Sequence, residues 1–512
     1  MDTNITATTD NSRPLSQFDG FVRAQDARLV DGRGNPLLLR GVGLGNWLLP
    51  EGYMWGFGPG AESPREIEAL VARLIGQSAA TSFWTRFRDQ YITEHDIAAI
   101  AERGFDHVRL PINSRIVMDA DGSLIESGFA IIDRTIEWCR DHGLWLLLDL
   151  HGAPGGQTGT NIDDSPGGKP ELFMEKRYRD QTLHLWRAIA ERYASETVVL
   201  GYDLLNEPLP DEWQYTYADE LVRLYRDLTA VIREVDPDHL IVYEGSHWAT
   251  NWDIFTEVLD DNSLLQFHKY WSPPDTASIR KYLDVRERLG LPIYMGEGGE
   301  NNLEWLYAAF RLYEAHEIGW NLWPWKKIET LTSPLSVRAP DGWADVRAAV
   351  NGESQPSQAR ATEIFGALLE ALAPSLCVAR EDVVAAVFGR SPAVIPAWGF
   401  GFRGRGESYE TSQGVPPGAI RLSDEASIKF ANPGDNPSNP FEQHDGRAYL
   451  PKELLCVHLE AGDWLEYEVE GEAGSYTAMG RDGSVSSVDV VRSERGLRAV
   501  ARTAVDLVSL VR

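Results

Sequence analysis

Two glutamates stand out as groups able to do chemistry together. Glu207, within Asn206-Glu207-Pro208, follows the apolar run 198–205, and Glu297, within Gly296-Glu297, follows the run 292–295. Each reads as a carboxylate at the exit of a buried strand, a position that is costly to desolvate unless the group is partnered. Taken alone, Asn206-Glu207-Pro208 is equally a structural turn, with Pro208 ending the strand and Asn206 capping a helix. Two opposed carboxylates, however, are what cleavage of a glycosidic bond needs. One protonates the leaving oxygen while the other attacks the anomeric carbon or activates water. Direct attack predicts carboxyl groups about 5–5.5 Å apart, whereas a gap near roughly 9 Å would point to water activation.

The elements that must position the pair are legible as an alternation of short β-rich runs and amphipathic helical stretches, the pattern of parallel strands joined by crossovers. Eight strands are predicted, near 38–43, 105–110, 144–150, 198–205, 240–244, 264–268, 292–296 and 319–323. Helices are predicted at 97–103, 131–142, 182–193, 221–235, 279–289, 303–316 and 359–372, with a weak fifth crossover. This is the pattern of a (β/α)8 TIM barrel; an open nucleotide-binding sheet would carry a glycine turn after its first strand, and none is present. Polar side chains recur at the strand ends: Arg109, His151, Asn206 with Glu207, His268 with Tyr270, Glu297 and Trp323. Singly, Arg109 reads as an ion pair, the histidines as satisfied core residues and Trp323 as packing. In a closed barrel all these ends meet at one mouth.

Arg109 in Val108-Arg109-Leu110-Pro111, His151 in Asp149-Leu150-His151-Gly152, Asn206-Glu207-Pro208, His268-Lys269-Tyr270, Gly296-Glu297 and Trp323 together resemble, in that order, the motif set of glycoside hydrolase family 5. The resemblance spans nearly the whole barrel. It implies a retaining glycosidase with Glu207 as acid/base and Glu297 as nucleophile. Arg109 and Tyr270 would bond the nucleophile, Asn206 the substrate 2-hydroxyl, His151 and His268 would line the subsite of the cleaved sugar, and Trp323 would be its floor. Within the family, the stretches 40–48, 149–157 and 323–326 are most similar to the exo-β-1,3-glucanase and β-glucosidase branch. The sequence departs from that branch at Gly298, where a Trp commonly follows the nucleophile, at Trp271, and in the loop 158–164. The expected substrate is a β-linked glucan or oligosaccharide cleaved from a chain end. The alternatives are an endo-acting β-1,4-glucanase, a metal-dependent hydrolase using Asp149, His151 and His268, and, more distantly, a barrel that binds sugar without cleaving it.

The remainder of the chain frames these expectations. The barrel domain is assigned to residues 1–373, with a polar N-terminal tail and an insertion at about 50–91. The aromatics Tyr53, Trp55 and Phe57 of that insertion read either as a cleft wall or as packing. Trp248, Trp252 and Trp271 are placed on loops able to stack further sugar units. After residue 373 the texture turns to Gly- and Pro-rich loops and short strands, a smaller all-β, sandwich-like domain (374–512). There the runs 462–469 and 474–477 read as a hairpin similar to that of carbohydrate-binding modules. A formal charge of −29 disfavours nucleic acid and anionic lipid as partners. Cys139, Cys377 and Cys456 are too few and too scattered for a disulfide framework or a zinc site. No cofactor and no metal are expected. With neither a signal-like leader nor an apolar run of membrane-spanning length, the chain reads as soluble: cytoplasmic as written, secreted or periplasmic if a leader has been removed.

Overall fold

The computed structural model describes residues 15–412, 419–471 and 474–512. Most of the polar N-terminal tail and the Pro416-Pro417-Gly418 loop lie outside the described residues. Eight parallel strands close into a barrel: β1 (Arg40–Gly43), β2 (His107–Asn113), β3 (Trp145–Gly152), β4 (Val199–Asp203), β5 (Leu240–Glu244), β6 (Ser263–Lys269), β7 (Ile293–Gly299) and β8 (Gly319–Trp323). Pairing runs round the ring in chain order, and β8 returns to β1 through Trp320 opposite Arg40 and Leu322 opposite Val42. All eight expected strands are present. Helices cover the expected crossovers, from Glu94–Glu102 through Gln358–Ala371, and the segment between β5 and β6 crosses without a helix.

The two-residue period of the strands sorts their side chains. On β2, Val108, Leu110 and Ile112 join the large core beneath the helices, while His107 and Arg109 take the alternate positions. On β3, Leu146, Leu148 and Leu150 do the same, and Leu147, Asp149 and His151 alternate with them. Leu147, Leu240, Val242, Leu264 and Tyr294 form a separate apolar cluster with Val22 and Leu29 of a small N-terminal antiparallel sheet, which caps that end. Apolar layers therefore fill one end of the barrel, and charged side chains occupy the end where the strands finish.

The insertion at 50–91 forms a short 3-10 turn, Gly52–Trp55, and two helices, Pro64–Ile75 and Gln77–Gln90. Its aromatics divide between the two readings. Trp55 and Phe57 are buried and stack on Trp343 at 6.1 and 5.5 Å, whereas Tyr53 faces the mouth of the barrel.

Beyond residue 390 the described residues form β-strands, loops and one short 3-10 turn, Ala397–Gly399. One sheet joins Ser427–Phe430, Leu455–Leu459, Val505–Val511, Thr477–Gly480 and Gly483–Ser484, with Val394–Pro396 on its side; the other joins Tyr409–Glu410, Trp464–Glu468, Gly496–Ala501 and Val488–Arg492. The expected hairpin between 462–469 and 474–477 does not form: Trp464–Glu468 pairs with Gly496–Ala501, and Thr477–Gly480 lies in the opposite sheet against Val505–Val511. Alternation reports that a strand is half-buried; it carries no information about which strand lies beside it. Helix Glu381–Phe388 precedes these sheets, and its Phe388 packs on Phe105 and Trp320 of the barrel. The three cysteines are free, and among the described residues no helix is long and apolar enough to cross a membrane.

Gly43 shows how the first strand serves the last. A Cβ at this position would stand 2.4 Å from Cε3 of Trp323, and one at Gly45 would stand 2.7 Å from its Cη2. Only backbone without side chains lets the indole lie against β1. Overpacking of this kind costs about 1–3 kcal/mol, so Gly43→Ala is expected to lower the chemical denaturation midpoint by that equivalent and to reduce activity with it. Wild-type stability and activity in that variant would contradict the packing.

Candidate active site

Arg109 sits at the centre of the mouth, fully buried. Its Nε donates to Asp203 Oδ2 at 2.9 Å, Nη1 to Glu297 Oε2 at 2.8 Å, and Nη2 to Asn206 Oδ1 at 2.8 Å and Glu244 Oε1 at 3.0 Å. Asp149 Oδ2 lies 3.2 Å from the same Nη2. One guanidinium thus binds the ends of β3, β4, β5 and β7. Burial works against its charge, but Asp149, Asp203, Glu244 and Glu297 more than offset it and hold the guanidinium protonated. Four carboxylates cannot all ionise around one cation. Burial and neighbouring negative charge push Asp149 and Asp203 up towards the neutral form, and Glu244 is held below its ordinary value because His268 and Arg109 outweigh its burial.

Glu297 accepts a second hydrogen bond, from the Tyr270 hydroxyl to Oε1 at 2.6 Å. Its neighbour Gly296 has no side chain because a Cβ there would collide with the Gln266 amide at 2.0 Å. Burial, with help from Glu207, raises the Glu297 carboxyl above its ordinary value despite His268, Arg109 and His151. Glu207 is held differently. Its backbone is in the left-handed region, φ 45°, and its amide donates to Glu244 Oε2 at 2.7 Å. A left-handed backbone at a non-glycine residue is strained and persists where surrounding structure fixes it; here Glu244 supplies that fixing. The Glu207 side chain meets His268 Nδ1 at 2.6 Å. Burial opposes a charge on His268, but Glu244, Glu297 and Glu207 raise it well above the ordinary imidazole value, so the ring is a cationic donor to Glu207. A carboxylate oxygen of Glu207, one of Glu297 and a ring nitrogen of His268 all lie within 4.8 Å of one another.

The other expected residues join the same site. His151 Nδ1 pairs with Asp149 Oδ2 at 2.7 Å, its Nε2 lies 3.2 Å from the Asn206 amide, and its ring stacks on Trp323 at 5.5 Å and 8°. Trp323 Nε1 donates to the Tyr53 hydroxyl at 2.8 Å. All eight expected residues therefore meet at one mouth. Six of them, all but the fully buried Arg109 and Asn206, line a cavity of about 850 Å³ whose walls also include Glu51, Tyr53, Trp248, Trp271, Glu300, Lys327 and His444. Trp248 and Trp271 line it as expected, but Trp252 does not: it is buried against Tyr282, Phe267 and Phe255 as core.

Several members of the site were not anticipated. Asp203, Glu244 and Gln266 complete the Arg109 network, Gln266 Nε2 reaching Asp203 Oδ2 at 3.0 Å and also Glu244. Glu51, Glu300 and Lys327 form the wall beside Trp323, with Lys327 paired to Glu300 and lying over the Tyr53 ring at 5.1 Å. The signal for Asp203 and Glu244 was present: each is the charged last residue of an otherwise apolar five-residue strand. Nothing in the sequence marked Glu51 or Lys327.

The metal alternative built on Asp149, His151 and His268 does not assemble. Among the described residues, the group with metal-like spacing is Glu207, His268 and Glu297. His268 of that group is itself cationic and Glu297 is bonded by the cationic Arg109, and both cations repel a divalent ion.

A family model for cellulase (glycosyl hydrolase family 5) matches residues 71–328, half of the chain, from within the insertion to just past β8 and so over seven of the eight barrel strands, β2 to β8. The chain belongs to glycosyl hydrolase family 5. This family 5 glycosidase is 27% identical over 349 residues to a beta-xylosidase of Phanerodontia chrysosporium, covering 60% of this chain and 71% of that one. It is 28% identical over 306 residues to Endoglucanase C of Acetivibrio thermocellus, covering 47% of this chain and 86% of that protein. It is also 30% identical over 263 residues to a probable glucan 1,3-beta-glucosidase A of Emericella nidulans, covering 49% and 62%.

Glu244→Gln removes the charge that contributes most to holding His268 protonated and weakens the support of Glu207. The expected result is a kcat/KM lowered by roughly 10- to 100-fold, as for loss of a charged hydrogen-bond partner. The alkaline limb of the pH profile should also move to lower pH, because His268 then falls back towards its ordinary value of 6.5. An unchanged alkaline limb would contradict this account of His268.

Proposed function

We propose that this glycosidase hydrolyses β-glucosidic bonds with retention of configuration, and acts from a chain end. The observation that carries the reading is the short separation of Glu207 and Glu297, within 4.8 Å between carboxylate oxygens. It falls on the short side, near the roughly 5–5.5 Å of direct attack on the sugar and well below the roughly 6.5–9.5 Å of enzymes that seat a water between the carboxylate and the sugar. The two carboxylates are distinguished by their partners. Glu297 accepts from Arg109 and Tyr270, which favour its anionic form. Glu207 pairs with His268, whose ring can pass it the proton that the leaving oxygen takes.

In the first step Glu297 attacks the anomeric carbon, the bond from that carbon to the leaving oxygen breaks, and Glu207 gives its proton to that oxygen. A glycosyl ester on Glu297 results. In the second step water gives a proton to Glu207 and attacks the same carbon, the ester bond breaks, and Glu297 is released as carboxylate. Asn206, fixed by Arg109 and close to His151, is placed to hold the 2-hydroxyl, and the Trp323 ring to carry the face of the sugar. Both carboxylates are supplied by the chain, so the step needs no cofactor.

Glucan as substrate is supported by the endoglucanase and glucan 1,3-beta-glucosidase relatives; the beta-xylosidase relative makes xylosides the first control. Action from the end is supported by Glu51, Tyr53, Glu300 and Lys327, which line the pocket together with Trp323, Tyr53 accepting from the Trp323 indole and lying under Lys327. The endoglucanase relative favours a second reading, internal cleavage of a β-1,4-glucan. We assign the barrel with its insertion to residues 1–373 and the β-rich unit to 374–512.

Three measurements test these readings. Proton NMR during hydrolysis of an aryl β-glucoside should show the β-anomer first; the α-anomer first would overturn retention. Glu297→Ala should lower kcat/KM by ~10⁴-fold or more, with azide restoring turnover and giving the α-glycosyl azide; near-wild-type hydrolysis would remove Glu297 as nucleophile. On β-1,3-, β-1,4- and β-1,6-linked glucans, monosaccharide from the first turnovers supports chain-end action, and a rapid fall in viscosity supports internal cleavage.

A further inference from the structure

The loop at 439–446, from the β-rich unit rather than the barrel, reaches the catalytic pocket. His444 lines the pocket and lies in ring contact with Trp271, centroids 3.8 Å apart and planes at 38°. Trp271 is in turn in ring contact with Tyr270 at 5.2 Å and 31°. Tyr270 donates to Glu297 Oε1 at 2.6 Å. A continuous line of contacts therefore runs from an exposed histidine of the C-terminal unit to the carboxylate that attacks the sugar.

Trp271, in the middle of this line, is fixed from both sides. Asn439 Nδ2 donates to the Trp271 carbonyl at 2.8 Å, and on the barrel side Trp271 Nε1 donates to the Glu300 carbonyl at 2.9 Å. The loop is held to the barrel by Asn301 Nδ2 on the Phe441 carbonyl at 2.8 Å. Gly446, at φ +73°, comes so close to Thr332 that a Cβ would stand 2.6 Å from its methyl. Gln443 is buried and bonds the Pro440 carbonyl at 3.0 Å, which stiffens the turn. Nearby, the Arg421 amide of the same unit donates to Asp275 Oδ2, the carboxylate that also caps helix Thr276–Leu289 through the Ser278 amide. The segment 270–275 is thus held between the two units.

We propose that the 439–446 loop belongs to the catalytic apparatus, with His444 and Asn439 acting as positioning residues that hold Tyr270, through Trp271, in hydrogen-bonding register with Glu297. The inference rests on Glu297 being the nucleophile. A looser Tyr270 would donate less well to the carboxylate and would favour its protonated form. Arg109, His268 and His151 would still favour its charge, and Glu207 would still oppose it. The acid limb of the pH profile would therefore move to higher pH.

The test is a double-mutant cycle between His444→Ala and Tyr270→Phe in the full-length protein, with His444→Phe as the variant that keeps a flat ring. The substrate is whichever aryl β-glycoside the wild-type protein cleaves fastest, glucoside or xyloside, so an error in the sugar assignment does not enter. Tyr270→Phe alone should lower kcat and raise the acid limb; if it does neither, the Tyr270–Glu297 bond has no catalytic weight and this inference fails, whereas near-wild-type hydrolysis by Glu297→Ala is the result that would remove the nucleophile itself. His444→Ala should lower kcat by roughly 3- to 10-fold, as expected for partial loss of a charged hydrogen bond. It should shift the acid limb in the same direction, leave KM within about twofold, and be largely recovered in His444→Phe. Added to Tyr270→Phe, it should cost nothing more. Full additivity of the two losses, an effect confined to KM, or wild-type behaviour of His444→Ala would each overturn the proposal.

Discussion

The site depends on a single buried cation. Arg109 has no access to water, and its charge is tolerated because Asp149, Asp203, Glu244 and Glu297 surround it and Asn206 accepts its remaining hydrogen bond. A lysine could not replace it: an ammonium is a point donor, whereas the planar fork reaches several acceptors at fixed angles. Taking the cation away would leave several carboxylates buried and unpaired, which costs far more than any one of the bonds contributes. The strand ends, the ionisation of Glu297 and the orientation of Asn206 are therefore consequences of one arrangement. Glu244 extends it outward, accepting from Arg109 on one oxygen and from the strained Glu207 backbone on the other.

This arrangement follows from the geometry of parallel strands. Alternate residues face the lumen, apolar ones at the end capped by the N-terminal sheet and charged ones at the end where the strands finish. Convergence does what no local motif could: residues from positions 109 to 323 meet within one mouth. Glycines at 43, 45 and 296 are the complement of the side chains that crowd there, since each leaves space filled by Trp323 or Gln266.

How much of this could be read from the sequence varied with how local the cause was. The eight strands were legible because each is an apolar run between polar helical stretches, and most of the expected site residues because they stand at or just past the end of such a run; Arg109, third of the seven residues of His107–Asn113, instead interrupts one. Asp203 and Glu244 close runs too, yet a charged residue at a strand end is an ordinary solvated terminus until the barrel is closed around it. Trp252 and Trp271 could not be told apart: both are tryptophans on loops, and only packing against Tyr282 and Phe267 makes the first a core residue. The C-terminal strands defeated reading by alternation because sheet partners there are set by contacts distant in sequence. His444 carried no signal, being a lone histidine in a polar loop that tertiary packing brings to Trp271.

The β-rich unit shares one continuous hydrophobic cluster with the barrel, from Trp320 and Phe388 to Trp398, Phe441 and Tyr467. His444 of this unit lines the catalytic pocket. Retaining hydrolysis requires Glu297 to form a covalent bond to the sugar, which a 2-deoxy-2-fluoro-β-glucoside with a good leaving group would trap. Mass spectrometry of the digested protein should find one fluoroglycosyl group, on the peptide containing Glu297. A label on another carboxylate, or turnover with inversion and no label, would contradict it.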